Sequence, residues 1–230
     1  MGDWITKSLV VTVVQIIVFL TFLFYGLVGT HSEYSTPVIV TIQTFLFVGL
    51  FIAAHDAMHG LVLPRHTRIN WVVGQICVFL YAGFSYRFLN KKHHEHHRYS
   101  GTNKDPDFLD SHPQSFARWY LKFMMTYLTW QQLFWLVVFV QTLKWVGLSM
   151  ASILIFWALP AILSTFQLFY FGTYLPHRRL AGRPFSDRHN ARDNEYPAWL
   201  SFITCYHFGY HLIHHRKPHL RWFELPTEKI

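Results

Sequence analysis

The chain has 230 residues, 52% of them hydrophobic, 19% aromatic and only 14% charged, with a formal net charge of +8. Apolar runs of this density exclude a disordered chain, a coiled coil and an ordinary soluble domain, and two cysteines, Cys77 and Cys205, exclude a disulfide scaffold. Sixteen histidines against twelve carboxylates is a second departure from average usage, and the two together point to a membrane protein with a metal site.

In chain order, four stretches are long enough to cross a hydrocarbon core of ~30 Å, which takes about 20 helical residues. They are Ile5–Val28, Val38–Ala57, Met124–Trp145 and Leu148–Leu175. The first lacks a preceding cluster of positive residues and is longer than a signal-peptide core, so it reads as an anchoring span. Pro160 is expected to kink the fourth. Trp71–Tyr86 falls just short of spanning length, and if it crossed, the histidines on its two sides would face opposite compartments. It is therefore read as a re-entrant or buried segment, and Tyr196–Phe208 as an interfacial one.

Basic residues support this topology, because Lys and Arg gather on the cytoplasmic side. With four spans and both termini cytoplasmic, Lys144 alone of the twenty Lys and Arg lies on the far side. Fifteen of the sixteen histidines then share the cytoplasmic face, His31 being the exception. The positive charge follows mostly from this bias, and nucleic-acid binding is not expected. The expected architecture is an all-α integral membrane protein, one domain over residues 1–230. It has four transmembrane helices, short re-entrant or interfacial helices and a cytoplasmic histidine-rich cap. A bacterial inner membrane is its expected location.

Three histidine clusters have ligand spacing. His55 and His59 are separated by three residues at the cytoplasmic end of the second span, and positions i and i+4 share a helix face. His93, His96 and His97 form an H-x2-H-H pattern, and His211, His214 and His215 repeat it more than a hundred residues later. One H-x3-H arises readily by chance; three clusters on one membrane face do not. Burying eight such imidazoles without partners would cost several kcal/mol each, on the order of an unsatisfied polar group. Eight ligands also exceed the four of one tetrahedral zinc, so two metals is the economical reading. Imidazole nitrogen suits zinc, copper, iron or nickel, and ligand type alone leaves the metal open.

These boxes resemble those of the membrane fatty-acid desaturase and hydroxylase superfamily. Four flanking segments narrow the resemblance to bacterial-type beta-carotene ketolases: His55–Gly60, Asp105–Phe108, Phe171–Arg178 and Cys205–His211, followed by the ending Pro218–Pro226. The resemblance implies a four-span helical domain with two Fe ions, O2 as cosubstrate, and His55, His59, His93, His96, His97, His211, His214 and His215 as ligands. A further histidine at the end of the fourth span ligates in related desaturases, and His177 occupies that position. His207, one turn before His211, has two readings, as a ligand or as a support to one. His94 faces away from His93 and His97 on a helix, and His66, His112, His189 and His219 lack cluster spacing.

Two carboxylates are assigned to the chemistry. Asp56, between two ligands, either accepts a hydrogen bond from a ligating imidazole or is a solvated residue at a helix end. Asp105 and Asp107 flank Pro106 as in a turn, and the resemblance gives one of the two a supporting role, assigned here to Asp107.

The implied reaction is an O2-dependent oxidation of the allylic ring methylene (C4) of beta-carotene to a ketone. Two successive oxidations give echinenone and then canthaxanthin. The carotenoid enters from the bilayer among membrane lipids. With no CxxC pair, four-cysteine iron–sulfur motif or Rossmann glycine fingerprint, electrons are expected from a separate ferredoxin-type donor. Rival readings are carotenoid ring hydroxylation or acyl-lipid desaturation on the same scaffold. A non-catalytic metal-binding or transport protein is the rival from another class, but its ionisable residues would be expected at mid-membrane along a path.

Overall fold

A computed structural model describes residues 2–111 and 114–228, with side chains from residue 7 onward; His112 lies outside the described residues. The described residues form helices and no strand. We number the helices α1 (Gly2–Val28), α2 (Ser35–Met58), α3 (Thr67–Ala82), α4 (Tyr86–Tyr99), α5 (Phe116–Tyr127) and α6 (Trp130–Trp145). A long helix α7 (Met150–His177), then α8 (Ala198–Cys205) and α9 (His211–Arg216), complete the chain.

Three helices are long and apolar enough to cross a membrane: Lys7–Val28, Ser35–Met58 and Met150–His177. The number rises to as many as five if α3 with α4 and α5 with α6 each count as one broken span. The expected third span, Met124–Trp145, is thus two helices. Leu128 and Thr129 adopt extended backbone, and the Thr129 side chain accepts a hydrogen bond from the Gln132 amide at 3.2 Å, starting a new helix. Thr129 and Gln132 carry the spacing of a helix-capping signature, which the apolar run around them masks. At 16 residues α6 is as short as α3, about 24 Å of helix.

Pro160 is accommodated by a π-helical turn over Leu154–Ala158, where the Leu159 amide bonds Leu154 five residues back. Proline lacks an N–H and crowds the carbonyl four residues before it, and the wider turn relieves that crowding. A second π-helical turn, Phe169–Tyr174, immediately precedes the turn that carries His177.

Contacts divide the chain into two units, one built from residues up to Tyr86 with Thr129–Thr165, the other from Arg87–Leu128 with the residues from Phe166 onward. In the first unit α2 packs on α1 and α3. Phe19 meets Phe47 edge-on at 4.8 Å, Phe47 meets Tyr81 at 5.6 Å, and the Tyr81 hydroxyl pairs with Ser164 at 2.8 Å. That hydroxyl pair leaves neither polar tip unsatisfied in an apolar interior. Val14, Ile17, Phe24, Val137 and Ile162 are exposed, as lipid-facing side chains of a membrane protein are.

In the second unit Phe108, Trp119 and Phe169 form a core with Phe116, Phe123 and Tyr174 packed against it. Gly172 matters here because a Cβ at that position would stand 2.5 Å from the Phe208 ring. Only a hydrogen at this position lets the α8–α9 turn close onto α7, and Phe208 in turn packs on His211 at 5.1 Å.

Candidate metal centre

Helix α4 presents His93, His96 and His97, and α9 presents His211, His214 and His215; His177 ends α7. Within the second unit these seven side chains sort into two groups. His96, His177, His211 and His215 are all buried, with one nitrogen of each within 4.8 Å of the others. His93, His97 and His214 converge in the same way.

The nitrogens face one another closely. His215 Nε2 lies 3.1 Å from both His96 Nε2 and His211 Nε2, and His97 Nε2 lies 3.0 Å from His214 Nε2. Nitrogens that share one metal at bond lengths of about 2.0–2.1 Å would stand roughly 3 Å apart. His177 adds a separate test: its Nδ1 donates to the Asn190 carbonyl at 2.7 Å, while its Nε2 is buried and has no hydrogen-bond partner. A buried imidazole anchored through one nitrogen and left open at the other is what a metal ligand requires, so these residues fit a metal.

His96 is anchored more strongly. Its Nδ1 lies 2.9 and 3.0 Å from the two oxygens of Asp105, which also accepts from the amides of Gly101 at 2.8 Å and Asp107 at 2.9 Å. Burial works against a charge on His96, but the Asp105 carboxylate and its hydrogen bond, with Asp107 adding to them, outweigh it and push the imidazole up to about 9. Against its burial, the same ion pair and hydrogen bond to His96, with His177 and the Gly101 amide adding to them, hold Asp105 below its ordinary value. For His215 burial and the surrounding imidazoles work together and push its value well down, leaving a neutral ring suited to a metal.

Asp107 is placed differently from its expected role. Its carboxylate receives the Tyr127 hydroxyl and stands 3.7 Å from His96 Nδ1, outside hydrogen-bond range. Asp105, the other side of the Pro106 turn, is the carboxylate that holds the histidine. Burial and the neighbouring Asp105 charge raise the Asp107 value, against the attraction of His96.

In the first unit His55 and His59 end α2 with ring centroids 4.9 Å apart, His55 buried and His59 half-buried. Asp56 Oδ1 is 3.8 Å from His55 Nδ1, an ion-pair distance rather than a hydrogen bond. Asn70 clamps the loop after this box. Its Oδ1 accepts from Val62 and Leu63, and its Nδ2 donates to the carbonyls of Leu63 and His66.

The profile of the fatty acid desaturase family matches residues 34–229. The chain belongs to the fatty acid desaturase family. It is 48% identical over 187 residues to a beta-carotene ketolase of Paracoccus sp. (strain PC1), which covers 81% of this chain and 76% of that protein. Over 187 residues it is 46% identical to the beta-carotene ketolase of Paracoccus sp. (strain N81106 / MBIC 01143). A beta-carotene ketolase of Haematococcus lacustris is 43% identical over 206 residues, 86% of this chain and 63% of that protein. This desaturase-family chain is accordingly a membrane enzyme of the oxidoreductase class.

Other histidines of this family member stand outside both groups. His94 is exposed and bonds the Asn90 carbonyl at 2.8 Å. His207 has left-handed backbone (φ 63°), and its ring lies over Trp222 at 6.1 Å. His66 turns to the Pro64 carbonyl, and His189 lies with its ring 5.7 Å from that of His215. Three supporting groups escape a reading by spacing: Asn190, whose backbone oxygen anchors His177, Asn70, and Tyr127. Asn190 and Tyr127 act on residues 13 and 20 positions away, and Asn70 clamps a loop four to eight residues before it; Asn190 also has left-handed backbone at φ 46°.

Proposed function

We propose that this chain is an O2-dependent diiron ketolase that oxidises the C4 ring methylene of beta-carotene to a ketone, twice at the same carbon. Echinenone is the product at one ring and canthaxanthin at both. The observation that carries this reading is the buried group of His96, His177, His211 and His215, four imidazoles with facing nitrogens, in a chain close to half identical to beta-carotene ketolases. His93, His97 and His214 serve the second iron. His55 and His59 are assigned to the centre on their spacing and on the three-box pattern of the family.

Bound iron supplies the activation of dioxygen and the one-electron chemistry that a C–H bond demands. The chain's own residues do the rest. Asp105 accepts a hydrogen bond from His96 Nδ1–H and the Asn190 carbonyl accepts one from His177 Nδ1–H, which fixes each ring so that Nε2 presents a lone pair. Burial of all four imidazoles keeps their nitrogens away from bulk water. Choice of carbon follows from how the ring is held, since a displacement of about 1 Å can cost 10²-fold.

The carotenoid reaches the site laterally from the bilayer, where it dissolves. Trp199 and Ile203, exposed four residues apart on one face of α8, suit an interfacial position on that route. Electrons come from a separate ferredoxin-type protein on the cytoplasmic side, where both termini and the boxes lie.

The test is pigment analysis after expression in a beta-carotene-accumulating bacterium with a competent electron donor and no ketolase. Echinenone followed by canthaxanthin is expected. Hydroxylated carotenoid in place of ketone, or unchanged beta-carotene with the protein in the membrane, would refute the ketolase assignment.

A further inference from the structure

Helix α9 carries His211, His214 and His215 on only six residues. A helix this short has no stability of its own, because the cost of nucleation is not recovered over one and a half turns. Its placement must come from tertiary bonds, and one segment, residues 187–194, supplies them at both ends. Asp193 Oδ1 accepts the amides of Leu212 at 2.8 Å and Ile213 at 3.2 Å, in the first turn of the helix. The Asn194 amide donates to the Gly209 carbonyl at 2.7 Å. At the other end, Arg216 Nε donates to Asp187 Oδ2 at 2.7 Å. The negative carboxylate meets the positive end of the helix and the Arg216 cation sits in its last turn, each the favourable sense for the helix dipole.

The same segment holds two more ligand-bearing elements. Its Asn190 carbonyl anchors His177 Nδ1, and the Arg192 amide donates to the Pro176 carbonyl at 3.1 Å. Asn190 Nδ2 donates to the Ser100 carbonyl at 2.8 Å, just beyond the end of α4.

We propose that residues 187–194 form a positioning strap for the metal centre, and that Asp193 is its principal residue. Asp193 acts through the backbone of α9, holding the three imidazoles in ligand geometry before any metal arrives. The proposal rests on the metal reading above. It adds that the binding geometry is built by a segment that contributes no ligand of its own.

The experiment is Co(II) titration of the purified full-length chain in detergent, because the visible absorption bands of Co(II) report imidazole coordination directly. Wild type is expected to bind Co(II) saturably. Asp193→Ala should bind about tenfold more weakly or worse, with altered bands, as loss of a ligand's supporting partner does. Asp193→Asn, whose amide oxygen can still accept both N–H groups, should stay within about threefold of wild type. Asp187→Ala, at a partly exposed ion pair, should fold in any case and weaken binding about threefold.

Equal Co(II) affinity and spectra in Asp193→Ala and wild type would overturn the strap while leaving the metal reading intact. Equal losses in Asp193→Asn and Asp193→Ala would also overturn it. If Asp193→Ala does not fold, an unchanged affinity in Asp187→Ala overturns it instead. A wild-type chain that binds no Co(II) overturns the metal reading, and the strap with it.

Discussion

Replacing His215 by Ala is expected to abolish ketone formation while the protein still reaches the membrane in normal amount. His215 is the hub of its group: its Nε2 faces both His96 Nε2 and His211 Nε2 at 3.1 Å. Loss of a residue that merely supports a ligand costs about 10–100-fold, so loss of this ligand should exceed 100-fold. The apolar spans do not depend on it, because α9 lies outside every spanning helix. The measurement is ketone product per unit of membrane-inserted protein. Activity within tenfold of wild type would remove His215 from the centre.

Asp105→Ala is expected to be nearly as damaging, by a different route. The substitution leaves His96 Nδ1 and the amides of Gly101 and Asp107 without their acceptor in a buried site. Each orphaned donor costs about 1–3 kcal/mol, and the unanchored imidazole should lower metal affinity a further 10–100-fold. Asp105→Asn should recover little, since its amide group turns a donor toward a site lined with donors. Asp107→Asn is the control. Asp107 is pushed toward its neutral form and accepts the Tyr127 hydroxyl, a bond an amide oxygen can keep, so metal content should change by less than about threefold. Metal content and thermal stability of the three variants decide the matter. Equal losses in Asp105→Asn and Asp107→Asn would contradict the division of labour between the two carboxylates.

The contrast between these residues shows where the sequence is legible. Ligand spacing on a helix follows from 3.6 residues per turn, so His93, His96 and His97, and again His211, His214 and His215, can be read as convergent without coordinates. His177 is legible only through the family, because a single histidine at a helix end has no pattern. Asp105 and Asp107 flank one proline and cannot be told apart by spacing; the Pro106 turn directs one to His96 and the other to Tyr127. The break at Leu128–Thr129 is written in a capping signature, but an apolar run on both sides outweighs it in any hydropathy count. Neither π-helical turn has a clear mark: Pro160 announces a disturbance without its form, and Phe169–Tyr174 announces nothing. Asp193 and Asp187 carry no signal in their spacing, since their partners in α9 lie 19 to 29 residues away.

If the two groups of imidazoles hold two irons as proposed, metal analysis of the purified chain will count them. After reconstitution with Fe(II), wild type should approach two irons per chain, and His215→Ala should lose the iron held by His96, His177 and His211. Zinc without iron in the wild-type protein, or a stoichiometry that does not rise above one and is indifferent to His215, would contradict the account.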